Sequence, residues 1–337
     1  MKKLLSLLLA LLMLTALVSC GAKDTTPDAQ NAATDGDDTP ATPATVRVAT
    51  LNGTTGFGMA PLISKSGAGQ AALTYAFSVE TDATVVRDGL INGTFDIGAV
   101  PTNVAAVIYN RTQGGVKILA VNTRGVLYLV TKGATPVSLA DLAGQTVYCP
   151  AQNPAFITKA LLDAAEIAGV TLDSTTYAAP ADLRDAAAAG LVDYAVLPEP
   201  MVTIAKSKAA QAGVTLTVSV DLTAEWDRYY PAGSLVQGCV VARTDFINAY
   251  PDAVDAFLLE YAASIAAVTS DPDTASQQIA AAGIFAQAAV AKTAIPKCNL
   301  CYLAGADMKA AMQTFLAAMP AASIGGALPD DAFYYGV

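Results

Sequence analysis

An α/β fold of two lobes joined by a pair of strands is what this sequence predicts, and three observations predict it. Strand-like apolar segments alternate with helical ones along the body, the pattern of sheets that are mainly parallel. About 290 residues follow the first such segment, which exceeds the usual single-domain size. Two strand-like segments, Val126–Val130 and Cys239–Arg243, are each followed by a polar turn and enclose a self-contained run of about 100 residues. The chain therefore leaves a first lobe once and returns once, and the two connecting strands make a hinge. On this reading residues 46–130 and 238–337 form the first lobe and residues 131–237 the second.

Taken in order, the chain opens with Lys2 and Lys3, then an apolar run from Leu4 to Leu17. A positive head, an apolar core and a small-residue ending make a secretion signal, and the run falls short of the roughly 20 residues a membrane span needs. The ending Leu17-Val18-Ser19-Cys20 resembles the lipobox of bacterial lipoproteins, in which the Cys becomes the lipidated first residue. An ordinary signal peptide with a chance Cys is the alternative. Residues 21–45 are Ala, Thr, Asp and Pro with almost no large apolar side chain, too little to offset the entropy of ordering. They read as a disordered spacer. The expected product is extracytoplasmic, anchored to the cell membrane through Cys20.

Folding starts at Val46. Expected strands are Val46–Leu51, Leu73–Val79, Phe95–Pro101, Val116–Asn122 and Val126–Thr131, then Thr146–Pro150, Ser174–Ala178, Asp193–Pro198 and Leu216–Val220, with Gln237–Arg243 returning. Three helical faces stand out. They are Ile157, Leu161, Ala164, Ala165 and Ala168; Val254, Phe257, Leu258, Tyr261, Ile265 and Val268; and Met308, Ala311, Met312, Phe315, Leu316 and Met319. Such stripes are core packing. No apolar run after the signal reaches membrane-spanning length on this reading.

Composition narrows the function. Apolar residues make up 53% of the chain and the formal charge is −10, which becomes −12 once the two signal lysines are gone. Five acids lie in the spacer, so the body is moderately acidic, unsuited to nucleic acid or to an anionic bilayer surface. The chain contains no histidine. That removes the usual general base, the commonest metal ligand and every Ser-His or Cys-His pairing. No catalytic residue, metal or cofactor is expected, and a monomer is.

Four stretches carry a family likeness: Leu51-Asn52-Gly53-Thr54-Thr55-Gly56-Phe57-Gly58-Met59, Gly93 to Asn103, Ser138 to Val147, and Ile324 to Asp331. In this order they resemble the substrate-binding lipoproteins of bacterial ABC importers with the type 2 periplasmic-binding fold. The nitrate/sulfonate/taurine and thiamine-pyrimidine-precursor binding group is the nearest within them. The resemblance implies capture of a small molecule between the lobes and delivery to a membrane permease.

The residues of such a cleft can be read separately. Ligands of open α/β sheets meet strand C-termini and the helix starts that follow. Asn52, Gly53, Thr54 and Thr55 follow the first strand and let backbone N–H groups approach a ligand. Thr102 and Asn103 follow the third, Gln152 and Asn153 precede a helix with Pro154 at its start, and Glu199 ends the strand Asp193–Pro198. Asn122 and the aromatic Tyr128 and Trp226 complete the candidate set, with Phe57 and Tyr229 as further flat walls. Each has a second reading: the asparagines as helix caps, the aromatics as core, Glu199 as a helix-start charge. Glu199 would repel nitrate or sulfonate and accept from an amino group or ring N–H, so an aminopyrimidine-like ligand is favoured over an anion.

Cys298-Asn299-Leu300-Cys301 has CxxC spacing without a second pair or a His, which disfavours zinc and leaves buried thiols or a local disulfide. Two other functions stand beside transport: a lipid-anchored sensor, and an enzyme like the eukaryotic pyrimidine synthases of this fold. Those enzymes use a histidine and a Cys-rich motif, and this chain has neither.

Overall fold

The computed structural model describes residues 42–337; the expected signal, Cys20 and nearly all of the spacer lie outside them. In chain order the strands are β1 (Val46–Leu51), β2 (Tyr75–Glu80), β3 (Ile97–Pro101), β4 (Val116–Arg124), β5 (Leu127–Lys132), β6 (Thr146–Tyr148), β7 (Thr171–Asp173), β8 (Tyr194–Pro198), β9 (Leu216–Asp221), β10 (Val236–Arg243) and β11 (Leu300–Leu303). They form two sheets, ordered β11-β4-β10-β3-β1-β2 and β7-β6-β8-β5-β9. β10 runs antiparallel between β3 and β4, and β5 runs antiparallel between β8 and β9, whereas β1–β3 and β6–β8 pair in parallel. Each sheet therefore repeats one plan: three parallel strands, then one antiparallel strand that arrives from the other lobe. Buried β-branched and aliphatic residues fill the central strands β1, β3, β4, β5, β8 and β10, as double-sided burial requires.

The expected α/β, two-lobed architecture is the observed one. Several details differ. Residues through Val130 were expected in the first lobe, but β5 pairs Leu127 with Pro198 and Tyr128 with Asp221, which makes it a central strand of the second sheet. The first crossover is thus Gly125–Val126, and the second runs over residues 230–235. The expected strand Ser174–Ala178 is irregular; β7 lies just before it, where Leu172 faces inward and Asp173 folds back on Thr175 and Thr176. β11 was not expected. It carries Cys301 to the edge of β4, and Cys298 and Cys301 are free thiols.

The helix Pro251–Ser270 also corrects an expectation, being long and apolar enough to cross a membrane by length and composition. Its stripe of Val254, Phe257, Tyr261, Ile265 and Val268 is almost wholly buried in the first lobe, so the apolar content is spent on the core. Glu260 on this helix is buried too. It accepts from Lys65 Nζ (2.8 Å), the Ala72 N–H (2.9 Å) and the Tyr75 hydroxyl (2.9 Å). Burial pushes its pKa up, but these three donors outweigh burial and hold it below the usual value. A depressed folded pKa gives stability that is present above the unfolded value and lost as pH falls through the folded one. Glu260→Gln is therefore expected to cost about 1–3 kcal/mol at pH 7. Chemical denaturation from pH 7 down to about 3 should show a shallower acid loss in the variant than in the parent.

The helix Gly305–Ala317 joins the lobes. Met308, Met312, Phe315 and Leu316 are buried on one face, and Phe315 packs 5.9 Å from Trp226 of the second lobe. One apolar cluster thereby runs from Ala105 and Ile108 through this helix to Ile157, Leu161 and Leu222.

Candidate ligand-binding site

Both sheets turn the carboxyl ends of their parallel strands toward the crossovers. Only Gly125 and Val126 separate Arg124, the end of β4, from β5, which starts beside the end of β8. β10 starts beside the end of β4 and pairs Gly238 with Pro101, the last residue of β3. The two C-terminal edges thus confront one another, the place where α/β sheets receive ligands.

Asn52, Gly53, Thr54 and Thr55 lie on the first-lobe edge. Gly53 takes φ 85° and ψ −163°, open only to glycine, and a Cβ there would meet nothing within 4 Å. Asn52 is exposed and Thr54 and Thr55 are half-buried, and their side chains make no hydrogen bond among the described residues. Asn122 supports this turn rather than the cleft. Its Nδ2 donates to Thr55 O (3.2 Å) and to the Tyr261 hydroxyl (2.8 Å), and its Oδ1 accepts from Thr123 Oγ1 (2.9 Å). With those groups engaged and the side chain buried, Asn122 is a positioning residue, which corrects its place in the expected set.

Thr102 and Asn103 follow β3. Thr102 Oγ1 is buried and donates to Val236 O at 2.8 Å, tying β3 to the start of β10. Asn103 is 7% exposed; its Nδ2 donates to Ser323 O at 3.2 Å, which fixes the amide, and its Oδ1 is buried without a partner. On the opposite edge Asn153 also buries an unpartnered Oδ1. The expectation that Asn153 caps its helix is not met: Gln152 occupies the cap position with φ 66°, and neither this helix nor Thr102–Thr112 has a side-chain cap bond. These two Oδ1 atoms are two of four buried side-chain oxygens without a partner among the described residues, the others being Thr50 Oγ1 and Thr223 Oγ1. Each costs about 1–3 kcal/mol while unpaired.

Glu199 takes the alternative role. It is 2% exposed, accepts from the Thr203 N–H (3.1 Å) and Thr203 Oγ1 (3.1 Å), and has Lys297 Nζ of the first lobe at 3.9 Å. Burial raises its pKa against the pull of Thr203 and Lys297. Tyr128 adds to the same contact, its hydroxyl donating to Lys297 O at 2.9 Å, and Asn299 Nδ2 donates to Gly125 O at 2.6 Å. Lys297 to Asn299 thus forms a strap from the first lobe onto the second, and Glu199 and Tyr128 receive it. Both are corrected from ligand contacts to lobe contacts. Trp226 is corrected as well: it is fully buried, stacked on Tyr230 at 4.0 Å, with Nε1 donating to Ser234 Oγ at 2.8 Å. Phe57 is core, and Tyr229 is exposed.

The walls come from residues outside the expected set. A cavity of about 510 Å³ lies between the lobes, with Phe156, Lys159 and Leu172 on one side and Ala318, Met319 and Pro320 on the other. Asn153 stands three residues before Phe156, and Ser323, the partner of Asn103, three after Pro320. Lys159 is paired with Asp163 at 2.7 Å, so the wall carries little net charge. Phe156 had a signal: a large apolar side chain off the buried Ile157–Leu161 stripe. Among the described residues, no group of three or more His, Cys, Asp or Glu is placed to hold a metal.

Solved structures of the same architecture exist. An ABC transporter protein from Parabacteroides distasonis is 24% identical, with TM-score 0.72 over 87% of this chain and 99% of that one. The periplasmic aliphatic sulphonate binding protein SsuA from Escherichia coli is 15% identical, with TM-score 0.64 over 81% and 86%. A conserved Candida albicans gene product, described as exhibiting the generic periplasmic binding protein structural fold, is 13% identical, with TM-score 0.52 over 86% and 93%. The chain has the periplasmic binding protein fold. No family model and no curated protein matches the sequence.

Proposed function

We propose that the protein is an extracytoplasmic solute-binding lipoprotein of an ABC importer, anchored through Cys20, that holds one small ligand between its lobes and hands it to a permease. The observation that carries this reading is the pair of unpartnered buried acceptors, Asn103 Oδ1 and Asn153 Oδ1, on the facing edges beside an apolar interlobe cavity. They call for a ligand that donates hydrogen bonds and presents an apolar face, such as a small aminopyrimidine-like ring. Asn52, Gly53, Thr54, Thr55 and Gln152 complete the polar rim. The chain's lack of histidine favours binding over catalysis in this reading, with the protein acting as a monomer and without nucleic acid.

A thermal-shift screen of the mature protein against aminopyrimidines, nucleobases, taurine, alkanesulfonates and nitrate tests the ligand class. An N–H donor ring should stabilise the fold by about 2.7 kcal/mol at a hundredfold excess over its Kd. Stabilisation by sulfonates or nitrate alone would sink the donor-ligand assignment and leave the carrier role standing.

A further inference from the structure

A second cavity, of about 420 Å³, is lined by the ends of both crossovers: Arg124 from the first, Gly233 and Ser234 from the second, with Asp307 and Thr314 of the Gly305–Ala317 helix opposite. Arg124 and Asp307 line one space, yet neither makes an ion pair among the described residues. The guanidinium lies close against the second crossover. Gly233 takes φ +74°, and a Cβ there would stand 2.4 Å from Arg124 Nη1, so the charge lies against bare backbone. Its other neighbour is the Cys301 thiol, kept neutral by burial. Ser234 is 2% exposed; its oxygen accepts from Trp226 Nε1, which leaves the hydroxyl proton without an acceptor among the described residues. The lining thus includes a guanidinium, a hydroxyl proton without an acceptor and a carboxylate. A simple anion would meet Asp307 and a simple cation Arg124. Only a molecule carrying both charges satisfies both walls.

We propose that this hinge cavity binds a small zwitterion, its oxyacid group on Arg124 and Ser234 and its ammonium on Asp307. The walls come from both crossovers, so occupancy changes the balance between open and closed lobes. That coupling rests on the solute-binding reading above; the binding itself does not.

Calorimetry of the mature protein with glycine and with taurine tests the proposal, with methanesulfonate and ethylamine as half-molecule controls. Saturable binding of at least one zwitterion is expected, tighter than either half by tenfold or more. Arg124→Gln and the surface variant Asp307→Asn should each weaken it about tenfold or more. Asp307→Asn should also improve methanesulfonate binding, while Asn153→Leu should leave zwitterion binding intact. No binding of either zwitterion at 50 mM, or loss only in Asn153→Leu, would overturn the hinge site. If zwitterion binding follows Arg124 but no ligand responds to Asn153, the interlobe reading fails and this one stands.

Discussion

Trp226→Ala is expected to cost the folded protein about 3–5 kcal/mol, the range for truncating a fully buried large aromatic. Trp226 is 0% exposed, stacks on Tyr230 at 4.0 Å, packs on Phe315 at 5.9 Å and donates to Ser234 at 2.8 Å. The loss falls on the apolar cluster that runs through both lobes, whose packed interior relaxes only partly around a deleted side chain. Trp226→Phe should cost less, because the stacking survives and only the indole donor goes. Urea unfolding of both variants reads the difference. If Trp226 were instead a ligand wall, alanine would weaken ligand binding by a large factor and barely move the unfolding midpoint; that pattern would refute the core assignment.

Asn153→Leu is expected to move stability and affinity in opposite directions. The substitution replaces a buried carbonyl that has no partner with an apolar group of similar size, so the unliganded protein should be as stable as the parent or more so. Affinity for the donor ligand should fall about five- to a hundredfold, the equivalent of about 1–3 kcal/mol. Asn103→Leu should show the same loss of affinity with less gain in stability, because its bond to Ser323 O also disappears. Asn153→Asp keeps an acceptor and should retain a ligand that donates. Calorimetry and thermal unfolding on the same three variants supply both readouts. A stability loss without an affinity change would mean that the asparagines serve the fold.

Much of the fold was legible because it rests on periodicity. Runs such as Val46–Leu51 and Leu216–Val220 are strands by composition, the first almost wholly buried, and the Val254–Val268 stripe is buried as its spacing requires. β11 was not legible, since Leu300–Leu303 is short and paired at an edge, and Cys301 with the nearby Cys298 invited a reading as thiol chemistry. The lobe boundary slipped by a strand because sequence shows that Val126–Val130 is a strand but not which sheet it joins. Asn103 and Asn153 follow strand ends, which is what put them in the expected set. Glu199 and Trp226 were placed wrongly for a common reason: each carries a group that suits a ligand, and only the three-dimensional packing shows Lys297, Thr203, Tyr230 and Phe315 already using it. The cavity walls at Phe156 and Met319 meet only after folding, being about 160 residues apart.

The strap from Lys297 to Asn299 and the joint at Gly125–Val126 hold the lobes together, and the proposed role requires them to part to admit a solute. Small-angle X-ray scattering of the mature protein, with and without a saturating ligand from the screen, tests that claim most directly. The account predicts a larger radius of gyration without ligand, a measurable contraction on saturation, and one ligand per chain. A radius that stays the same while the ligand binds tightly at one site would contradict capture between moving lobes.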